Sequence, residues 1–304
     1  MSDLKDKKIG TLVGLAVGDA MGAPYEFQYR SHYKATLEYN TGGSHNIRIG
    51  EWTDDTSMAL CLAQSIIDTK DFNPIDQMNN YLKWYREGYM CTRKRCFDIG
   101  TATRNSIYAF EQSDKNIPYT LTGSEETNGN GTIMRLAPIV MKYSRDKDLL
   151  EYAKKSSLTT HRGIDAYNSA MTMASIIDNC YKYSDKMQII STAKDLTGHD
   201  IIKTIIEDIG EKHYDPNYKI PTTIPTGYCI DTLECALKGF MLHDTFIDGL
   251  MYCISLGDDT DTVGAVYGQI AGAYYGLSGI PQYYKDNLMM YNLIYDTAVK
   301  LIED

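Results

Sequence analysis

Along most of this chain apolar residues recur every third or fourth position rather than every second, the spacing of amphipathic helices. Helical segments are predicted over Ser57 to Ile67, Pro74 to Tyr89, Thr101 to Glu111, Leu149 to Leu158, Ala166 to Tyr181 and Met187 to Leu196. The pattern continues over Ile201 to Ile209, Leu233 to Met241, Phe246 to Leu256, Val263 to Tyr275 and Met289 to Ile302. Few runs alternate with the period of a strand. Gly, Pro, Asn, Asp or Ser marks most boundaries at short intervals, so the expectation is an all-α fold, a compact bundle of many helices in a single domain spanning 1–304.

Two segments carry glycine at every fourth position, Gly10, Gly14, Gly18 and Gly22, then Gly264, Gly268, Gly272 and Gly276. An interior glycine costs a helix roughly 1 kcal/mol against alanine, so such a stripe makes sense where another backbone approaches closely. Both are expected to be tightly packed central helices, the first accompanied by Asp19 and Glu26 and the second by Asp259 and Asp261.

Composition narrows the function without naming it. Of 304 residues 43% are hydrophobic and 23% charged, as in an ordinary globular domain, and no linker divides them. A net charge of −10 with no basic stripe argues against a nucleic-acid partner. The seven cysteines are odd in number and form no CxxC pair, which points to reduced thiols and a cytoplasmic setting. Lys5, Lys7 and Lys8 before the apolar run Ile9 to Val17 imitate a signal peptide. Asp3, Asp6, Gly10 and Gly14, and Gly-Asp-Ala in place of a small-residue cleavage site, argue against that reading. No stretch reaches the eighteen apolar residues of a membrane span.

The candidate chemistry lies in two hydroxyl-and-carboxylate clusters, Trp52-Thr-Asp-Asp-Thr56 and Ser255-Leu-Gly-Asp-Asp-Thr-Asp-Thr262. Hard divalent cations take carboxylate and hydroxyl oxygens, and two of them side by side need several carboxylates from separate parts of a fold. Acidic turns are also common helix caps. A calcium loop counted from Asp259 fails, because Val263 and Ile270 fall at ligand positions. Each cluster runs into an apolar helical stretch, so both are expected at helix N-termini, aimed into a cleft. Asn128-Gly-Asn-Gly-Thr132 suits either an ordinary turn or an anion cradle. His161 before a helix reads as a hydrogen-bonded structural group or a ligand contact. Tyr228 offers an aromatic face, though one among 25 tyrosines.

Six motifs together carry a resemblance: Gly18-Asp-Ala-Met-Gly-Ala-Pro-Tyr-Glu26, Trp52 to Thr56, Phe97-Asp-Ile-Gly-Thr101, Asn128 to Arg135, Thr160-His-Arg162 and Gly257 to Thr262. In this order, from about residue 8 to 276, the chain resembles the ADP-ribosylglycohydrolase family. The resemblance implies an orthogonal all-α bundle with two Mg²⁺ or Mn²⁺ ions that removes ADP-ribose from modified targets. It implies metal ligation by Thr53, Asp54 and Asp55 from one side and Asp259, Asp261 and Thr262 from the other, with Asp55 and Asp261 essential. Glu26 matches a glutamate that touches the metals or gates the cleft; a surface ion pair is the plain alternative. Gly129, Asn130, Gly131, Thr132, His161 and Tyr228 are implied to contact ADP-ribose.

The context of Asp98, with Gly100 and Thr101, is similar to that of dinitrogenase reductase-activating glycohydrolases. This implies an aspartate beside the ribose and the leaving guanidine, hence N-linked ADP-ribosylarginine as substrate. The plain alternative for Asp98 is a helix cap. Arg135 reads equally as a structural ion-pair partner. Other readings are another ADP-ribosyl linkage, serine-linked or O-acetyl, and a non-catalytic binding or structural member of the fold. The expected partner is an ADP-ribosylated protein or a small ADP-ribosyl substrate, met by a monomer.

Overall fold

A computed structural model describes residues 1–120, 127–194, 196, 198–210 and 223–303. Fourteen α-helices and one two-stranded ribbon are present among them. In chain order they are α1 (Asp3–Gly22), β1 (Gln28–Tyr29), α2 (Asp54–Thr69), α3 (Pro74–Glu87), α4 (Thr101–Gln112), α5 (Ala137–Tyr143), α6 (Leu149–Leu158), α7 (Ile164–Cys180) and α8 (Lys186–Ser191). Then follow α9 (Asp200–Gly210), α10 (Cys229–Leu242), α11 (Phe246–Ile254), β2 (Gly257–Asp258), α12 (Thr260–Tyr275), α13 (Gln282–Asn287) and α14 (Tyr291–Glu303). The all-α expectation holds, with most boundaries shifted by one to four residues.

Local chemistry fixes many of the ends. For α3, the Asn73 side chain accepts from the amides of Ile75 and Asp76, Pro74 opens the helix, and Gly88 closes it at φ 69°. The helix expected over Met187 to Leu196 ends at Ser191, where Thr192 turns its hydroxyl back onto the carbonyl of Gln188 at 2.9 Å; Asp195 of that stretch lies outside the described residues.

The centre of the molecule is the antiparallel pair α1 and α12, packed backbone to backbone along the two glycine stripes. A Cβ added at Gly10 would lie 2.5 Å from the carbonyl oxygen of Gly272, at Gly14 2.2 Å from that of Gly268, and at Gly18 1.9 Å from that of Gly264. Only hydrogen fits there. At the end of the seam Thr260 donates its hydroxyl to the Gly22 carbonyl at 2.8 Å. Both helices are buried over most of their length at the heart of the main apolar core, while α3 and α4 pack on one side of α2 around a second apolar cluster that includes Met58, Tyr81, Trp84, Ile107 and Phe110. The antiparallel pairing has a functional consequence. It brings the C-terminal end of α1, with Asp19, to the N-terminal end of α12, with Asp259 and Asp261, and the β1–β2 pairing of Gln28 with Asp258 ties Glu26 to the same place.

Candidate active site

The floor of the site begins with a cap supplied from outside its own helix. Thr53 is the N-cap of α2 but makes no side-chain cap of its own. Asp19 of α1 takes that role, accepting from the amide of Thr53 at 2.9 Å and the amide and hydroxyl of Thr56 at 3.0 and 2.6 Å. Burial pushes the Asp19 carboxyl up to about 7 despite these bonds. The first turn of α2 then presents Asp54 and Asp55, and the first turn of α12 presents Asp261 and Thr262, as the sequence led us to expect.

These side chains converge. Thr53 Oγ1 lies 3.0 Å from Asp19, 3.0 Å from Asp55 and 3.4 Å from Asp261, with one hydrogen to share among three carboxylates. Oxygens of Asp19, Asp55 and Asp261 come within 4.8 Å of one another, and so do those of Glu26, Asp259 and Asp261. Burial first, then mutual repulsion, raises Asp54, Asp55 and Asp261 well above the usual carboxylate range. Asp259 is raised by burial, against hydrogen bonds that include one from Asn130 at 2.6 Å. Asp55 Oδ1 is buried without a partner. Crowded carboxylate oxygens, that of Asp55 partnerless, with a threonine hydroxyl among them form an all-oxygen donor set, which fits hard divalent cations such as Mg²⁺ or Mn²⁺.

Above this floor opens a cleft of about 420 Å³. Glu26, Asp54, Asp259, Asp261 and Thr262 form its base, and Asp98, Gly100, Thr101, Gly129, Asn130, Gly131 and His161 line the rest. Glu26 is buried within this base rather than paired at the surface. Asp98 sits at φ 63° in the left-handed region, and the cap of α4 is Gly100 rather than Asp98. Asp98 Oδ1 ion-pairs with His45 Nε2 at 2.8 Å, and the same ring nitrogen lies 3.3 Å from Glu26. The two carboxylates hold the His45 imidazolium up to about 10. Asp98 Oδ2 is buried and unpartnered. Sequence reasoning missed His45, which lies in a loop with no periodicity to mark it.

In the loop at Gly129 to Thr132 the two glycines serve a neighbouring histidine. A Cβ on Gly129 would stand 2.9 Å from His161 Nε2, and one on Gly131 2.8 Å from His161 Cε1, so both glycines make room for the imidazole ring. The Asn130 amide donates to the Gly227 carbonyl at 3.0 Å and is not free for a ligand. Thr132 and Tyr228 do not line the cleft. Thr132 donates to the Ala166 carbonyl at 3.3 Å, and the Tyr228 hydroxyl donates to Asp165 at 2.6 Å while its backbone bridges Gly129.

Arg135, fully buried, pairs with no carboxylate among the described residues. It donates to the carbonyls of Gly131 at 2.6 Å and Ser156 at 3.1 Å and to the Thr160 hydroxyl at 2.8 Å. Thr160 Oγ1, which accepts from Arg135, also lies 2.8 Å from His161 Nδ1. His161 is neutral, held down to about 3 by burial and the Arg135 charge. When the Thr160 hydroxyl donates to Nδ1, the ring hydrogen lies on Nε2, on the glycine side of the ring.

The chain as a whole is matched among known proteins by hydrolases of ADP-ribosyl glycosidic bonds. The family profile described as ADP-ribosylglycohydrolase spans residues 1–304. "ADP-ribosylarginine hydrolase Tri1" of Pseudomonas putida (strain GB-1) is 36% identical over 279 residues, covering 91% of this chain and 72% of that protein. "ADP-ribosyl-[dinitrogen reductase] glycohydrolase" of Rhodospirillum rubrum is 27% identical over 295 residues, covering 94% and 91%. A solved structure titled "ADP-ribosylglycohydrolase-related protein complex" superposes with a TM-score of 0.85 at 34% identity over 100% of this chain and 99% of that one. The chain belongs to the ADP-ribosylglycohydrolase family and is a glycosidic-bond hydrolase. None of the helices among the described residues is long and apolar enough to cross a membrane.

Proposed function

We propose that the protein is a divalent-metal-dependent hydrolase of N-linked ADP-ribosylarginine, reversing mono-ADP-ribosylation. The carrying observation is Asp98: a carboxylate in the cleft wall, one oxygen fixed by His45 and the other buried without a partner. Such a group matches a guanidinium by charge-assisted hydrogen bonding. The name of the Pseudomonas putida relative, an ADP-ribosylarginine hydrolase, supports the same linkage.

Thr53, Asp54, Asp55, Asp259, Asp261 and Thr262 would hold two Mg²⁺ or Mn²⁺ ions. Bound there, the cations supply Lewis acidity toward the ribose oxygens and the attacking water. Water adds to the anomeric carbon as the bond to the guanidine nitrogen breaks, through a transition state of oxocarbenium character. Glu26, in the base of the cleft, takes the proton from the attacking water. Asp98 holds the guanidinium and keeps it aligned as it leaves. His45 positions both carboxylates. His161 Nε2–H donates to an ADP-ribose oxygen, and Gly129, Asn130 and Gly131 shape the pocket around it; Thr132 and Tyr228 contribute by supporting that loop.

The test is release of ADP-ribose from arginine-linked, serine-linked and O-acetyl substrates with Mn²⁺ or Mg²⁺, for the parent and Asp98→Ala. Arginine-selective release, reduced about 10²-fold or more in the variant, is expected, since removing one partner of a buried charge pair costs 2–5 kcal/mol. Equal release from the serine-linked substrate would overturn the linkage, and parental rates in Asp98→Ala would remove Asp98 from the guanidine site.

A further inference from the structure

Against a net charge of −10, one short segment is strongly basic: Arg93, Lys94 and Arg95, three to five residues before Asp98. Arg48 joins them, and with Asn46 and Thr92 the four cationic side chains line an open depression. Glu51 is buried beneath and is shared by two of them, accepting from Arg93 Nε at 2.9 Å and Arg48 Nη2 at 2.7 Å. Four cations against one carboxylate leave a net positive patch. Lys94 and Arg95 are exposed, and neither side chain has a hydrogen bond or ion pair among the described residues.

The patch is rigidly coupled to one end of the catalytic cleft. The Arg93 guanidinium stacks on the Phe97 ring at 4.0 Å and donates to the His45 carbonyl at 2.9 Å. His45 in turn touches Asp98 and Glu26 in the cleft. The segment's own turn is fixed by Gly88 at φ 69° and by the Cys91 thiol donating to the Arg95 carbonyl at 3.1 Å. A preformed basic surface therefore stands one residue's contact away from Asp98, through His45. On the reading above, Asp98 is where the leaving arginine sits, and whatever remains attached to that arginine passes over this side.

We propose that Arg48, Arg93, Lys94 and Arg95 form a docking surface for acidic residues of the ADP-ribosylated target protein that flank its modified arginine; this rests on the arginine-linkage reading. Extended chain spans about 3.3–3.6 Å per residue, so carboxylates two to four positions from the arginine reach roughly 7–14 Å, across the patch. A nucleic acid is disfavoured by the acidity of the rest of the surface. The arrangement selects targets by the sequence around the modification, while the chemistry reads only the ADP-ribosylarginine itself.

The experiment compares release of ADP-ribose from free ADP-ribosylarginine and from ADP-ribosylarginine peptides flanked by Glu, Gln or Lys, using the parent and the double variant Lys94→Glu/Arg95→Glu. At low salt the parent is expected to favour the Glu-flanked over the Gln-flanked peptide by about three- to tenfold in kcat/KM, with the Lys-flanked peptide slowest. The preference shrinks as salt rises and disappears in the double variant. The variant should hydrolyse free ADP-ribosylarginine at the parental rate with an unchanged melting temperature, because both side chains are exposed. Flank-independent rates in the parent, or a Glu preference that survives in the double variant, overturn the docking surface alone. Failure of the parent to hydrolyse free ADP-ribosylarginine overturns the linkage reading and this proposal with it.

Discussion

Replacing Gly14 with alanine sets two effects against each other, and the structure decides the sign. An alanine inside a helix is favoured over glycine by roughly 1 kcal/mol, so if the stripe were merely tolerated the variant would gain stability. The added methyl, however, falls 2.2 Å from the Gly268 carbonyl oxygen and 3.2 Å from the Gly272 Cα, where ordinary contact begins near 3.4 Å. Both neighbours are backbone within a helix, so no side chain can swing aside, and the two helices must part by about 1 Å. Overpacking costs about 1–3 kcal/mol even where side chains can yield, and a gap of 0.5–1 Å forfeits a quarter to a half of the dispersion along the seam. With backbone that cannot yield, the overpacking cost sits at its upper end, and less the helix gain we expect Gly14→Ala to lose about 2 kcal/mol net, measured by urea unfolding with EDTA so that metal binding does not contribute. A variant as stable as the parent, or more so, would refute the backbone contact. Position along the seam adds a second readout. Gly18→Ala, at the Asp261 end, should also weaken stabilisation by Mn²⁺, whereas Gly10→Ala, at the far end, should cost stability alone.

Other expectations concern the site itself. Mn²⁺ at one hundred times its dissociation constant should stabilise the parent by about 2.7 kcal/mol, and Asp55→Asn should lose most of that shift in a thermal melt; an undiminished shift would mean the carboxylate cluster does not hold the ion. Thr160→Val should cost about 1–3 kcal/mol by leaving buried donors and acceptors unmet, and nitrogen NMR of the His161 ring should show the Nε2–H form of the parent giving way to a mixture. Persistence of that form would mean that Thr160 does not set it. Because His161 is held down to about 3, the unfolded chain takes this proton first on acidification. Its contribution is whole above about pH 6.5 and shrinks by about 1.4 kcal/mol per pH unit toward the folded value. Between pH 7 and pH 5 the parent should therefore lose about 2 kcal/mol more than His161→Gln in urea unfolding, and equal losses would contradict the buried neutral imidazole.

What the sequence made legible follows from which forces leave a local trace. Helix periodicity and glycine spacing are local, so α2, α3, α6 and the α1–α12 seam could be read directly, as could the placing of Asp54, Asp55 and Asp261 at helix starts. Short buried helices leave no such trace: α5 has seven residues, nearly all buried, and shows no polar face to set a period. Residues whose role comes from distant partners were also hidden. His45 acts only because Glu26 and Asp98 are folded around it, and Asp19 caps a helix 34 residues away. The one clue to Asp19 was a carboxylate inside an otherwise apolar run. The glycines at 129 and 131 were visible, but their reason, a histidine ring about thirty residues on, was not.

The seam between α1 and α12 also sets an order of events during synthesis. Thr260 lies 238 residues after Gly22, the group to which it bonds. At the 5–20 residues per second of translation, α1 leaves the ribosome roughly 12–50 s before the helix that covers its glycine face has been made. Contacts this far apart in sequence close late and slow the search for the native state. The first helix made is thus among the last to find its partner, and until α12 is made the carboxylate cluster of Asp19, Asp55 and Asp261 is incomplete.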